Sequence, residues 1–298
     1  MPHTASHSSP PATRKLTRRA FLKRAALWSG IALVPGSYGW AMQIEPHRLE
    51  VRRVTLRLSR LTPEFDGLAI AQISDIHVGG WMNHQRLQKI VTVINALHAD
   101  YVVITGDFAT RAAAPDLRVL DALSALAPRH DVLCVLGNHD HWSNPDEVRR
   151  ALRKTGIGEL CNTHHTLRRG KAVLHVAGID DAWVVAGDIG TVLHRLPQQG
   201  AAILLAHEPD FADSYAAAGR FDAQLSGHTH GGQIQLPWHG PIVLPRHGQK
   251  YHTRQYRVGS GDKSMTLYVN RGVGMIKPYV RFNCRPEITL FTLRAPAA

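Results

Sequence analysis

Cysteine is scarce, with only 3 in 298 residues. The count is odd, so a disulfide scaffold is excluded and at least one thiol stands alone. Glycine (25) and proline (17) are too few for a collagenous or low-complexity chain. No apolar run reaches the roughly 18 residues that a membrane-crossing helix needs. Acidic residues are missing from the first forty positions, which carry Arg14, Lys15, Arg18, Arg19, Lys23 and Arg24. The formal charge of +12 is therefore lopsided. Without those six residues, 29 basic side chains face 23 acidic ones, a net of +6. That is a mildly basic globular protein, without the electrostatic footprint that nucleic acid demands, and no nucleic-acid partner is expected. What is present, 44% hydrophobic and 19% charged residues, suffices for a sizeable core.

Met1 to Thr13 is rich in Ser, His, Pro and Thr, and its composition predicts disorder. Thr17-Arg18-Arg19-Ala20-Phe21-Leu22-Lys23 follows, then an apolar stretch from Ala25 to Val34, broken by Pro35-Gly36. A basic region, a short apolar core and small residues form the plan of an export signal. The paired arginines resemble the twin-arginine translocation signal, Ser/Thr-Arg-Arg-x-Phe-Leu-Lys. Residues 1–41 are thus expected to be a disordered N-terminus and signal peptide. Small residues at Ser37, Gly39 and Ala41 suit a cut near 39–41, although an uncleaved tether fits as well. The resemblance implies the twin-arginine machinery as a partner and a place in the periplasm or on the outer face of the cytoplasmic membrane. Cys134 lies in an apolar run and reads as a core residue. Cys161 and Cys284 are free to pair, and nothing in the sequence decides it.

Residues 42–298 read as one α/β domain. Val54, Leu56 and Leu58 alternate with polar residues, as in a half-buried strand. Buried-type strands are expected at 68–73, 101–105, 132–136, 172–179, 201–206 and 221–225, with further strands at 267–269 and 287–293. Asn83 is placed to cap a helix whose stripe is Leu87, Ile90, Val91, Ile94 and Leu97. Pro115 opens a second, with Leu117, Leu120 and Leu126 inward. A third runs from the Asn144 cap and Pro145 to Gly156.

Five of these strands deliver polar residues just past their carboxyl ends, the edge where open α/β sheets bind ligands. The groups are Ser74-Asp75-Ile76-His77, Gly106-Asp107, Gly137-Asn138-His139-Asp140, His207-Glu208-Pro209 and Gly227-His228-Thr229-His230. Asp75, His77, Asp107, Asn138, His207, His228 and His230 offer nitrogen and oxygen and no thiolate, a set that suits Mn, Fe or Zn. Seven side chains are too many for one ion with an open position. They fit two ions sharing a carboxylate, which clamp a phosphoryl oxygen and turn a bridging water into a hydroxide nucleophile near neutral pH.

In order, these five blocks resemble the calcineurin-like metallophosphoesterases over about residues 50–295. The resemblance implies a four-layer sandwich: two mixed β-sheets flanked by helices. It implies that Asp75, His77 and His230 hold one metal, that Asn138, His207 and His228 hold the other, and that Asp107 bridges them. Two divalent ions are implied, manganese first, with iron or zinc as alternatives. His139 would be the catalytic group, contacting the phosphate and stabilising or protonating the leaving oxygen. Asp140 would orient a neighbouring ligand. The protein phosphatases of this superfamily support that histidine with a second Asp, where this sequence has Thr110, so its partner is left open and a Ser/Thr protein phosphatase is disfavoured. Gly227 to Gln233, Tyr268 to Gly274 and Arg281 to Ile288 resemble a bacterial branch, often exported or membrane-associated, with phosphodiesterases of the YaeI and YkuE type.

The expectation is a phosphodiesterase acting on a small phosphodiester or phospholipid-type substrate, in possible contact with a membrane surface. A related branch cleaves the pyrophosphate of UDP-2,3-diacylglucosamine, a cytoplasmic reaction that the export signal counts against. A nuclease is disfavoured by charge and export, and a non-catalytic binding module by the complete ligand set. Other histidines (His84, His98, His130, His175 and His194) fall away from the five edges and read as packing or solvated residues. His141-Trp142 reads equally as pocket lining or as packing, and Asp180-Asp181 as a turn pair rather than support for the site. Residues 237–256 read as a basic, aromatic, non-periodic loop beside the site, either plainly solvated or meeting a second phosphate or lipid headgroups.

Overall fold

A computed structural model describes Arg18 and residues 37–111, 115–185 and 187–296. The chain divides into two compact units, Met1–Trp40 and Ala41–Ala298. The twin-arginine motif, apart from Arg18, and the apolar stretch behind it lie outside the described residues. Among the described residues no helix is long and apolar enough to cross a membrane.

The second unit is built on two six-stranded sheets. The first takes β1 (Glu50–Arg57), β2 (Ala69–Ile73), β3 (Tyr101–Thr105), β4 (Val132–Val135) and β5 (Gly158–Glu159), with β14 (Glu287–Arg294) inserted between β1 and β2. The second has the order β12 (Arg254–Val258), β13 (Met265–Val269), β9 (Ala223–Ser226), β8 (Ala201–Leu205), β7 (Ala172–Gly178), β6 (Thr163–Arg169). Both are mixed. The first runs parallel from β2 to β5, with β14 antiparallel to β2; the second runs parallel through β7, β8, β9 and β13, with antiparallel edges.

The strands are apolar nearly throughout because both faces are covered. Ile70, Val103, Leu133 and Val135 point to the space between the sheets and meet Ile203, Leu205, Leu225 and Tyr268 there. Ala71, Ile73, Val102, Ile104 and Cys134 point outward, under α1 (His84–Asn95), the 3-10 segment Leu117–Ala125 and α3 (Pro145–Thr155), the last two helices separated by the short α2 (Asn138–Ser143). Ala202, Leu204, Leu267 and Val269 point to the opposite side, under α4 (Ile189–Arg195) and α5 (Ala212–Ala217). The result is the expected four-layer sandwich of two mixed sheets flanked by helices.

Local signals act where the sequence places them. Asn83 Oδ1 accepts the Arg86 N–H at the start of α1, Asn144 Oδ1 accepts the Glu147 N–H at the start of α3, and Gly156 ends α3 at φ +78°. Two expectations need correction, and two helices go beyond them. The segment after Pro115 is a 3-10 helix capped by Asp116, and it buries Leu120, Ala122 and Leu123 while Leu117 and Leu126 stay half-exposed. Helices α4 and α5 are too short for an apolar stripe to announce them. Residues 237–256 are not one loop: β10 (Gln235–Leu236) and β11 (Gly240–Pro241) form a small antiparallel ribbon, and β12 begins at Arg254. All three cysteines are free.

Candidate metal centre

Strands β2, β3 and β4 of one sheet and β8 and β9 of the other end at a common edge, and the turns beyond them are tied by backbone hydrogen bonds. The Asp75 N–H donates to the Gly106 carbonyl (2.9 Å), the His77 N–H to Asp107 (3.0 Å) and the Gly227 N–H to His207 (3.1 Å). Behind them, the Val273 and Gly274 N–H groups donate to the Ser74 and Asp75 carbonyls at 2.9 and 2.8 Å. Asp75, His77, Asp107, His228 and His230 all adopt positive φ, between 50° and 73°. A left-handed non-glycine residue costs about 1–3 kcal/mol, and such residues persist where the surroundings over-determine them, typically at functional sites. Two glycines allow the crowding: a methyl at Gly137 would overlap Asp107 Oδ1, and one at Gly227 would overlap Ser74 Oγ.

Six of the seven anticipated side chains converge. The Nε2 atoms of His77 and His230 lie 2.9 Å apart with the rings stacked. Asp75 Oδ1 is 3.3 Å from His230 Nε2 and 3.9 Å from His77 Nε2. Asp107 Oδ2 stands between two sets of imidazoles, 3.4 Å from His77 Nε2 and 3.2 Å from His207 Nε2. His228 joins His207 and Glu208 in a group whose donor atoms lie within 4.8 Å of one another. Asn138 is buried at the first residue of α2, and its Oδ1 has no hydrogen-bond partner.

Tautomers follow from the partners. His207 Nδ1 donates to the Thr105 carbonyl (2.6 Å), which leaves Nε2 for the centre. His228 Nε2 donates to the Arg246 carbonyl (2.7 Å), which leaves Nδ1. Burial presses His77 and His228 down to about 3, and burial together with His77 lowers His230. These imidazoles therefore stand uncharged with lone pairs available, the form in which histidine ligates. Burial would raise Asp107, but His207 and His139 pull it well below the usual carboxylate range, so it stays charged. Burial, with Asp107 adding to it, pushes Asp75 up to about 7.

The cluster fits divalent cations on its own terms. Two imidazole nitrogens 2.9 Å apart repel unless a cation or proton lies between them, and neighbouring ligands with metal bonds of about 2.1 Å stand about 3 Å apart. The unpartnered Asn138 Oδ1 is a further acceptor in want of a cation.

The family model for calcineurin-like phosphoesterases matches residues 68–232, which span all five blocks. The chain belongs to that family. A metallophosphoesterase of Bacillus subtilis, YkuE, is 37% identical over 95% of this chain and 99% of its own length. A UDP-2,3-diacylglucosamine pyrophosphatase of Chlamydia muridarum, LpxG, is 27% identical over 84% of this chain and 91% of its own. Among solved structures, a dimetal phosphatase from Danio rerio is similar with a TM-score of 0.41 at 11% identity, over 70% of this chain and 88% of that one.

Around the phosphoesterase centre stand supports that the motifs do not spell out. Asp140 Oδ1 accepts the Ala109 N–H (2.8 Å) and Oδ2 the Gly137 N–H (3.0 Å), joining the second and third blocks. The His139 N–H donates to Asp107 Oδ1 (2.9 Å), while His139 Nδ1 accepts the Arg111 N–H (3.2 Å). The partner of the His139 ring, left open by the sequence, is thus a backbone amide. Glu208, not singled out by the sequence reading, is buried beside His207 with one unpartnered oxygen; burial and a hydrogen bond with Asp181 push its pKa well up. Its only signal was its place next to His207. His141 is bound to Asp180 (2.8 Å), which also holds Arg149 (3.2 Å), so the pair is a strut. The Trp142 ring packs 5.0 Å from His139 and 4.8 Å from Trp183. Arg281, fully buried, donates to the carbonyls of Arg271, Gly272 and Gly274 and fixes the segment behind Asp75.

Proposed function

We propose that the chain is an exported phosphodiesterase that works with two divalent ions, manganese first. The observation that carries this is Asp107: one buried carboxylate oxygen lies within 3.4 Å of His77 Nε2 and within 3.2 Å of His207 Nε2, so the two ligand sets share it. In the expected assignment Asp75, His77 and His230 hold one ion, Asn138, His207 and His228 the other, and Asp107 both. Glu208 is a further candidate beside the second set. When bound, such a pair supplies Lewis acidity to the phosphoryl oxygens and activates a water.

The chain's own residues do the rest. His139 Nδ1 accepts the Arg111 N–H, so Nε2 carries the ring's N–H and can hydrogen-bond the departing oxygen, stabilising the charge that builds there. The backbone tie from His139 to Asp107 fixes that donor relative to the shared carboxylate. Gly227–Gln233 and Tyr268–Gly274 support a diester over a monoester through their branch resemblance. The test is chelation followed by manganese repletion: hydrolysis of bis-p-nitrophenyl phosphate is lost and then restored. Absence of turnover by manganese-loaded protein at neutral to alkaline pH would falsify the diester reading.

LpxG favours a second reading, cleavage of the pyrophosphate of a lipid-linked nucleotide. UDP-2,3-diacylglucosamine turned over faster than any diester would select it. Export by the twin-arginine route rests on Thr17 to Lys23. Replacing Arg18 and Arg19 with lysine is expected to strand the chain in the cytoplasm, and unchanged export would remove that part.

A further inference from the structure

Large apolar side chains are rarely left exposed in clusters on a soluble domain. In residues 41–296, Val184, Val185, Leu236, Trp238, Ile242 and Val243 account for six of the seven that are described as exposed; the seventh is Ile44. The six fall on two short segments, and both border the metal centre. Residues 184–185 follow Trp183, whose ring lies 5.9 Å from His228. Residues 236–243 take in the β10–β11 ribbon, whose tip carries Trp238 at 105% exposure, and the two residues that follow it. Between the ribbon and the centre lies a cavity of about 280 Å³, lined by Ile234, Ile242, Val243 and Ile276 together with His228 and His230. Its wall is thus shared with two of the candidate metal ligands.

We propose that this mouth faces a bilayer. The ribbon and residues 183–185 seat on anionic phospholipid, and the cavity takes the acyl chain of the phosphoester whose phosphate reaches the metal centre. The inference rests on the phosphoesterase reading above and deepens it by naming the substrate class, an amphiphilic lipid phosphoester. Continuity is the first argument. A molecule filling an apolar groove walled by His228 and His230 must be apolar at one end and carry its phosphate at the other. The volume lies near the lower end for ligand pockets, enough for one stretch of chain. Charge is the second. Lys277 lines the same cavity and Arg246 lies three residues past Val243, both exposed, where a lipid surface presents anionic headgroups. The fully exposed indole is the third, because tryptophan's amphipathic ring prefers the membrane–water boundary.

The test uses the full chain, manganese-loaded, with vesicles of equal parts phosphatidylglycerol and phosphatidylcholine, sedimented at physiological salt. Residues 14–24 bring six cations that bind anionic vesicles by themselves, so the readout is the difference between wild type and Trp238→Ser. The expected loss is tenfold or more in vesicle affinity, with a similar loss for Val184→Ser combined with Val185→Ser. Loss below twofold in both variants overturns the proposal. So does a dimer, seen by sedimentation velocity, that Trp238→Ser abolishes while vesicle binding is unchanged, for then a second copy covers the rim. A soluble-diester assay run alongside separates the two readings. Turnover without rim-dependent binding sinks only the bilayer surface, and rim-dependent binding without turnover sinks only the diester.

Discussion

The metal-centre turns and the rim outside them leave the same edge of the same two sheets, yet they are built in opposite ways. In the turns, Asp75 and His77 are wholly buried, the backbone is held in left-handed conformations and the amides of Asp75, His77 and Gly227 are tied to neighbouring turns. In the rim, Trp238 stands in solvent at the tip of a ribbon of two residues per strand, and Ile242 and Val243 stand in solvent just after it. The contrast separates two tasks. Chemistry on a phosphoryl group needs donors fixed to a fraction of an ångström, which only a buried and over-determined turn provides. Contact with a large or fluid partner needs apolar area, and that area can stay loosely held.

The strongest way to break this contrast is at Asp107. Asp107→Asn preserves shape and removes the charge that both ligand sets share. Activity is expected to fall at least about 10³-fold, in the range seen for groups that act as a unit with their neighbours. The fold is expected to survive, because the ties through Asp75, His77 and Gly227 use backbone atoms. A variant that keeps a tenth of wild-type turnover would mean that the carboxylate does not hold two ions.

His139 sharpens the same point. Its role as hydrogen-bond donor to the departing oxygen predicts a loss for His139→Ala that depends on the leaving group. With an alkyl diester the loss is about 10²–10³-fold. With nitrophenolate, which departs without help, it is roughly tenfold or less, because little charge is left to stabilise. Equal losses on both substrates would assign His139 to binding alone.

Much of the inner region was legible because burial on both faces writes near-continuous apolar runs, and the residues at their ends need no long-range information to be noticed. Strand β3 and Gly106-Asp107 are the clearest case. The rim was not legible. A two-residue strand has no period, so the β10–β11 ribbon read as loop, and α4 and α5 vanished for the same reason. Glu208 was hidden differently: nothing local distinguishes a carboxylate buried against Asp181 from one in solvent. The Arg111 amide that meets His139 is a backbone group, which no side-chain pattern encodes.

A smaller effect is expected from packing. Gly227→Ala drives a methyl into Ser74 Oγ and Asp75 Oδ2. Overpacking of this kind costs about 1–3 kcal/mol, which thermal melting would read as a Tm lower by about 2–10 °C. Bound metal is expected to fall with it, because Asp75 must move. Trp238→Ser, in the rim, is expected to leave Tm unchanged, since its ring packs on nothing in the fold. If Gly227→Ala melts with the wild type, the crowding is not real and the inner turns are as forgiving as the rim.

The smallest effect is the pH response of the His141–Asp180 strut, which braces the inner turns from behind. Burial lowers the His141 pKa, but the Asp180 carboxylate 2.8 Å away overcomes it and the net shift is upward. A raised pKa gives stability that is full below the unfolded value of 6.5 and is lost as pH rises through the folded value. Burial would raise Asp180, but His141 and Cys161 hold it down at about 2 against an ordinary 3.8, so its share is present above 3.8 and fades as pH falls toward 2. The strut is therefore strongest between those limits. His141→Gln is expected to cost about 1 kcal/mol or less near pH 6, and the cost should shrink toward zero by about pH 8.5. Urea midpoints for both proteins at the two pH values measure it. A cost that stays constant would mean that the imidazole acts there by packing and not by charge.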